Sequence, residues 1–202
     1  IGVVSPKLLN RKRKFSPNLK VLLAPAFRMQ GLLSYDSNIK KEKHLVLLAL
    51  PANKNLCKRI VNACLELDNF SNVKFLIKLH PTITKEMLHL LIPQLQNHQF
   101  KYTQESLYSI FPITKILISS DSSVCFEAIT CGVHVAIMDS FSGVPSNPVL
   151  GIFDNSYWDI FYDSEGLKNI LDKERDTLEV NIDKMVVPVN RETVEFFLES
   201  TT

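Results

Sequence analysis

The chain has 202 residues, of which 46% are hydrophobic and 22% are charged, a composition typical of a soluble globular protein with a sizeable core. Its formal net charge of +2 is too small to indicate a nucleic-acid partner. No apolar run approaches the roughly 20 residues that a membrane-spanning helix needs.

The first 42 residues do not follow the pattern of the rest of the chain. They contain two short apolar segments at Ile1–Val4 and Lys20–Ala24, a basic run at Arg11–Lys14, and the start of a charged stretch at Asn38–Lys43. We interpret residues 1–42 as the remnant of an upstream domain with its linker, and the start at Ile1 as that of a fragment. The basic run is most simply a solvated loop. The alternative is contact with an anionic membrane surface, here the inner face of the cytoplasmic membrane.

From residue 43 onward, strand patterns alternate with helical patterns. Strands are predicted at 45–50, 73–80, 100–103, 116–118, 134–139 and 159–162. Helices are predicted to begin after residues 55, 84 and 123, at Ser164, which would be a cap, and near Glu192. This alternation predicts an α/β fold, a Rossmann-like parallel sheet with helices on both faces. We assign residues 43–202 to this domain, with residues 185–202 as a C-terminal helical tail.

Polar turns follow several of the predicted strands. They are Pro51–Asn55, His80–Pro81, Ser119–Ser123 and Asp139–Gly143. In open α/β sheets, ligands bind beyond the carboxyl ends of the strands, at the point where the strand order reverses. We therefore expect all four turns to lie along one edge of the sheet.

The densest of these turns groups Ser119, Ser120, Ser122 and Ser123 around Asp121. One serine would be enough to cap the helix that follows, so four suggest a further role. Hydroxyls and unpaired backbone N–H groups at the positive end of a helix dipole suit a phosphate group. The turn has no lysine and is not glycine-rich, which excludes a Walker-type loop. Asp121 argues against an anion unless it points away.

Three further residues complete the predicted binding set. His80, restricted by Pro81, could donate to a phosphate oxygen and offset the charge of a leaving group, or could simply bond a neighbouring loop. Glu127 lies one helical turn after Ser123 among apolar neighbours, and its carboxylate could accept hydrogen bonds from ribose hydroxyls. Asn53, which with Asn55 is one of two candidate caps for the helix that follows, lies on the same edge.

Other polar residues are assigned no role. Lys78 is expected to face solvent, and His134 opens a strand at its amino end, on the opposite edge. The four cysteines form no C-x-x-C pair, which predicts buried thiols in a reducing, cytoplasmic compartment. Histidines and cysteines show no zinc-ligand spacing, so no metal site is expected.

Three motifs, in their order along the chain, resemble the C-terminal half of GT-B glycosyltransferases. They are a strand ending in Lys-x-His80-Pro81, a later strand ending in a serine cluster, and Ser123-x-x-x-Glu127-Ala before a glycine. The resemblance covers about residues 43–175 and is strongest to bacterial sialyltransferases, polysialyltransferases, and capsule or surface-polysaccharide transferases with HP and serine motifs. It implies a CMP- or UDP-linked nucleotide-sugar donor and a surface glycan or lipid-linked acceptor. It implies no metal or other cofactor.

By this match, His80–Pro81 would be the HP motif on the nucleotide and its phosphate, and Ser122 and Ser123 the serine motif on the donor phosphate. Glu127 would hold the ribose. The acidic general base of such enzymes lies on their N-terminal half, and residues 1–42 contain no such motif. The resemblance thus implies a missing N-terminal Rossmann half or a partner chain that supplies the base.

Two other functions remain open at this point. A non-hydrolysing UDP-sugar 2-epimerase shares the fold and similar turns, although its serine turn typically carries adjacent glycines where this chain has Ser122 and Ser123. The chain could also be a non-catalytic nucleotide-binding or interaction module on the same scaffold, because a fold alone does not determine a function.

Overall fold

The computed structural model describes residues 2–33, 45–67, 73–98, 100–139, 147–175, 178, 180–181 and 184–201. The predicted linker at 38–43, the domain boundary at residue 42 and most of the Asp139–Gly143 turn lie outside these residues. The strands are β1 Gly2–Val3, β2 Leu22–Leu23, β3 Leu45–Ala49, β4 Lys74–Lys78, β5 Lys101–Thr103, β6 Ile116–Ser119, β7 His134–Met138 and β8 Trp158–Phe161. The helices are α1 Pro6–Phe15, α2 Gln30–Leu33, α3 Lys54–Leu65, α4 Lys85–Leu91, α5 Leu107–Ile110, α6 Val124–Thr130, α7 Ser164–Asp172 and α8 Arg191–Thr201.

Six of the strands form one sheet in the order β5-β4-β3-β6-β7-β8, and every neighbouring pair is parallel. β3 is central and all five of its residues are buried, as its continuous apolar sequence predicts. Leu48 pairs with Ile77 of β4 on one side and with Ile118 of β6 on the other. The predicted α/β fold with a parallel sheet is confirmed.

The sheet separates two layers of core. Side chains alternate along a strand, so Val46 and Leu48 of β3 face one layer and Leu47 and Ala49 face the other. The first layer is completed by α3, α4 and α7, and the second by α5, α6 and the segment 149–153. Helices therefore cover both faces, as the sequence predicted.

Side-chain caps fix where most helices begin. Asn53 caps α3, and the Thr84 hydroxyl accepts the Met87 N–H at the start of α4. The predicted cap of α7 was wrong by one residue. Asp163 is the cap, because its carboxylate accepts the Gly166 N–H at 2.8 Å, and Ser164 is the first helical residue.

The basic run at Arg11–Lys14 lies in α1, so its interpretation as a loop was wrong. Pro6 stands in the first helical turn, where its missing N–H costs nothing and its fixed φ favours a helix. No helix in the described part of the chain is long and apolar enough to cross a membrane.

The two ends of the described chain are joined by backbone hydrogen bonds. β1 and β2 form a separate parallel pair. The Val187 N–H donates to the Val4 carbonyl at 2.9 Å, and the Val187 carbonyl accepts the Ala26 N–H at 3.0 Å. The segment before α8 is therefore bonded to the N-terminal residues.

All four cysteines are free and buried, as their sequence context predicts. Burial raises the thiol pKa to about 11 for Cys57 and to about 12 for Cys125. The protonated thiols act as small apolar side chains in the core.

Candidate functional site

The strand order places a topological switch point in the main sheet. From β3, the chain first adds β4 and β5 on one side and then crosses back to add β6, β7 and β8 on the other. This is the doubly wound order whose switch point lies between β3 and β6. The turns that follow β3, β4 and β6 leave the carboxyl ends of adjacent strands and thus lie along one edge, as predicted.

The serine turn is divided between buried and accessible hydroxyls. Ser119 and Ser120 are buried, and they donate to the Ala49 carbonyl at 2.8 Å and to the Asp121 carboxylate at 3.1 Å. The first bond ties β6 directly to the end of β3. Ser122 is half-buried and Ser123 is exposed. Ser122 and Ser123 are therefore the serines whose hydroxyls a ligand can reach without rearrangement.

The backbone of this turn offers fewer free donors than the sequence predicted. The Ser122 N–H donates to the Ser120 carbonyl at 2.8 Å, and the Cys125 N–H donates to the Ser122 carbonyl at 3.1 Å. The Val124 N–H faces the Ser122 hydroxyl oxygen at 3.4 Å. The turn is tight enough to satisfy these three groups internally, so the prediction of unpaired backbone N–H groups was wrong for Ser122, Val124 and Cys125. Side-chain hydroxyls, more than backbone donors, would have to bind a phosphate here.

His80 is half-buried in the turn after β4 and has a defined tautomer. Its Nδ1 accepts the Thr82 N–H at 3.2 Å and lies 2.8 Å from the Thr82 hydroxyl oxygen. Because Nδ1 is an acceptor, the proton of the neutral ring is on Nε2. Among the described residues, Nε2 has no hydrogen-bond partner. The local loop bond and the ligand contact that the sequence left as alternatives are thus compatible with each other.

Glu127 is 2% exposed, and a tyrosine covers it. The Tyr108 hydroxyl, from α5, donates to Glu127 Oε2 at 3.0 Å. Tyr108 in turn packs against Gly31, where an added Cβ would lie 2.6 Å from the tyrosine ring. A ribose could therefore reach the Glu127 carboxylate only after the Tyr108 side chain moved.

Tyr108 and Lys78 are two residues whose part in the site the sequence did not reveal. The Lys78 ammonium donates to the Gln104 carbonyl at 3.0 Å and to the Glu105 carbonyl at 2.5 Å. These bonds hold the turn that leads from β5 into α5, and α5 carries Tyr108. Lys78 is thus a positioning residue for the tyrosine that covers Glu127.

Asn53 lies at the end of the turn after β3 and acts locally. Its side-chain oxygen accepts the Asn55 N–H at 2.9 Å and the Leu56 N–H at 3.2 Å. The residue is exposed, so its NH₂ group is accessible as a further donor. Within the described residues, no group of three or more His, Cys, Asp or Glu side chains could hold a metal ion.

No protein-family model matches the sequence, and the search of curated proteins finds no match. Solved structures do match. The chain is similar in fold to the wall teichoic acid polymerase TagF, in a structure soaked with CDPG. The TM-score is 0.54 and the identity 13%, and the match covers 98% of this chain and 52% of the TagF chain. The chain therefore spans about half the length of TagF.

At this identity, the similarity to TagF concerns the fold alone. It agrees with the Rossmann-like fold predicted from the sequence. It also agrees with the resemblance to glycosyltransferases as far as the fold is concerned. KpsC of Thermosulfurimonas dismutans, a beta Kdo 2,7 transferase, also matches, at 13% identity and a TM-score of 0.36 over 81% of this chain and 51% of KpsC. That similarity is too low to carry an argument.

Proposed function

We propose that this chain is the donor-binding half of a glycosyltransferase that transfers a sugar from a CMP- or UDP-linked nucleotide-sugar to a surface glycan or glycolipid acceptor. One observation carries the proposal. The Ser122–Ser123 turn follows β6, which borders the switch point with β3, and the His80 turn follows β4 on the other side of β3. The likeness of fold to a wall teichoic acid polymerase supports the same class of activity.

In this proposal, the residues of the chain stabilise the leaving phosphate. The Nε2–H of His80 and the hydroxyls of Ser122 and Ser123 donate to phosphate oxygens as negative charge develops on them. The Asn53 amide and the buried Ser119 and Ser120 hold the shape of the two neighbouring turns. The donor is a substrate, and neither a cofactor nor a metal is part of the scheme.

The acceptor side of the reaction lies outside this chain. A base on an N-terminal Rossmann half, or on a partner chain, would deprotonate the acceptor hydroxyl for direct displacement at the anomeric carbon. The reaction would take place in the cytoplasm, with peripheral contact to the inner membrane surface where the acceptor is lipid-linked. We expect the isolated chain to bind nucleotide weakly and to transfer no sugar. Measurable transfer by the chain alone would contradict the proposal that the base lies outside it.

Thermal shift against CMP, CDP, UMP, UDP and GDP tests the donor site. A nucleotide at 100 times its dissociation constant adds about 2.7 kcal/mol to the free energy of unfolding. For a chain of this size, that corresponds to an increase of about 5–11 °C in Tm. We expect such a shift with a cytidine or uridine nucleotide, and the absence of a shift with all five would refute the proposal.

Two pairs of variants locate the site. His80→Ala removes the predicted donor, and His98→Ala is its control, because His98 precedes the amino end of β5 on the opposite edge. Ser123→Ala removes an exposed hydroxyl of the serine turn, and Ser156→Ala removes one from an exposed residue elsewhere. His80→Ala and Ser123→Ala should reduce the increase in Tm that the nucleotide causes, and the controls His98→Ala and Ser156→Ala should not. Equal shifts within both pairs would exclude this edge as the nucleotide site.

A further inference from the structure

A concave site lies between α1 and the segment that leads into β8. It is a cleft of about 580 Å³. One wall is a single face of α1, formed by Lys7, Asn10, Arg11 and Lys14, and the other wall is Leu150–Asp154. The spacing of the four α1 residues, three, four and seven positions from the first, places them together on the helix surface.

The helix wall of this cleft carries positive charge that nearby acids do not balance. α1 contributes Lys7, Arg11 and Lys14 to the wall and contains no acidic residue. The facing wall contributes a single carboxylate, that of Asp154. None of the three cations forms an ion pair with a carboxylate of the described residues. An anion entering the cleft would therefore meet donors that are not already neutralised.

Two contacts hold the cations against the facing segment. The Lys7 ammonium lies 5.6 Å from the centroid of the Phe153 ring. Arg11 Nη1 approaches the Pro148 carbonyl at 3.4 Å, which engages one of the five donors of its guanidinium. The remaining donors of Arg11 and those of Lys7 and Lys14 belong to side chains that line the same cleft.

The facing wall is mainly apolar. Leu150 is exposed, and Ile152 and Phe153 present carbon surface beneath the cationic helix. Gly151 has a φ of 73°, and an added Cβ there would meet nothing within 4 Å, so its backbone opens directly onto free space. A ligand that fits both walls has an anionic head and a short carbon portion beside it.

We propose that this cleft binds a phosphate ester, with its phosphate among Lys7, Arg11 and Lys14 and its carbon portion against Leu150 and Phe153. Phosphate oxygens accept charge-assisted hydrogen bonds from both ammonium and guanidinium groups, and guanidinium binds them in a bidentate manner. The proposal does not depend on the nucleotide site, because the two sites share no residue. The same chemistry is found in a soluble polyol phosphate and in the headgroup of an anionic lipid.

The test uses the full chain and two probes at about 0.15 M salt, where diffuse surface attraction is screened beyond roughly 8 Å. Glycerol 3-phosphate, measured by isothermal titration, represents the soluble source. Sedimentation with vesicles of equal parts phosphatidylglycerol and phosphatidylcholine represents the lipid source, with pure phosphatidylcholine vesicles as the blank. Binding to glycerol 3-phosphate identifies a soluble ester as the ligand class, and binding to the anionic vesicles alone identifies the headgroup.

Matched double variants distinguish the cleft from the general charge of α1. Lys7→Gln with Lys14→Gln removes two cations from the cleft wall, and Lys12→Gln with Arg13→Gln removes two from the same helix outside it. Glutamine keeps a similar helix propensity. We expect the first pair to weaken binding of the responding probe at least about tenfold, and the second pair by less than about twofold.

A third variant changes the affinity in the opposite direction. Asp154→Asn removes the one carboxylate of the wall and should tighten binding at least about twofold, an effect that misfolding cannot imitate. The inference is overturned if wild-type chain binds neither probe, if both double variants weaken binding equally, or if Asp154→Asn leaves the affinity unchanged.

Discussion

His134 is a buried imidazole at the amino end of β7, 5% exposed, whose Nε2 lies 2.9 Å from Asp159 Oδ2. Burial lowers its pKa from 6.5 to about 4, and the positive charge of Arg175 acts in the same direction. Lys173 and Arg175 also bind the Asp159 carboxylate, at 2.7 Å and 2.9 Å. The ring is therefore neutral at pH 7, and its Nε2–H donates a hydrogen bond to Asp159.

This lowered pKa makes the folded state sensitive to mild acid. Because the pKa is 6.5 in the unfolded chain and about 4 in the folded one, the unfolded chain binds more protons between those values. The free energy of unfolding must then fall as the pH drops through this window, by about 2 kcal/mol at pH 5 and about 3 kcal/mol below pH 4. Burial alone would raise the pKa of Asp159, but its bonds to Lys173, Arg175 and His134 together lower that pKa on balance, which adds a loss of the same sign at more acidic pH.

Urea denaturation followed by circular dichroism at pH 7, 6 and 5 measures this dependence. The comparison is with His134→Gln, which keeps an N–H donor for Asp159 but cannot take up a proton. We expect the wild-type chain to lose about 2 kcal/mol between pH 7 and pH 5 and the variant to lose much less. A wild-type stability that is flat over this range, or an equal loss in the variant, would show that His134 does not control it.

Three further substitutions test the contacts around the candidate site by the same denaturation assay at pH 7. Tyr108→Phe removes a donor to the buried Glu127 carboxylate and should cost about 1.5–3 kcal/mol, and a cost below about 0.5 kcal/mol would mean that the hydrogen bond is absent in solution. Asn53→Ala removes the cap of α3 and should cost about 1 kcal/mol, whereas Asn55→Ala, two residues later in the first turn of the same helix, should cost little, and equal costs would contradict the capping role. Lys78→Met removes the ammonium donor of the exposed bonds to the Gln104 and Glu105 carbonyls and should cost about 0.5–1.5 kcal/mol, and an unchanged stability would show that these bonds do not hold the turn.

The strands and the strand-end turns could be predicted because their signals are local. The continuous apolar run at 45–50 predicted a strand covered on both faces, and β3 is found at Leu45–Ala49. The cap of α3 was narrowed to Asn53 or Asn55, of which Asn53 is the cap, and the Ser119–Ser123 turn follows β6 directly. The edge on which the turns lie then follows from the rule for parallel sheets.

The missed features depend on contacts between distant residues or on competing local signals. The hydrogen bond from Tyr108 to Glu127 and those from Lys78 to Gln104 and Glu105 join separate elements, and no spacing in the sequence encodes them. α1 was missed because its basic run suggested a solvated loop, although Pro6 in its first turn was a usable signal. The free backbone donors were overestimated because the tightness of the serine turn is not visible in its composition.

The backbone hydrogen bonds of Val187 to Val4 and Ala26 determine which parts of the chain can fold first. The contacts join residues near opposite ends of the described chain, so they cannot form until nearly the whole sequence is available. Closing so long a loop is slow compared with forming local helices, whereas β3, α3 and β4 are close neighbours in sequence. We expect the central sheet to assemble first during synthesis, and α1 with its basic face to be secured last, when Val187 has left the ribosome.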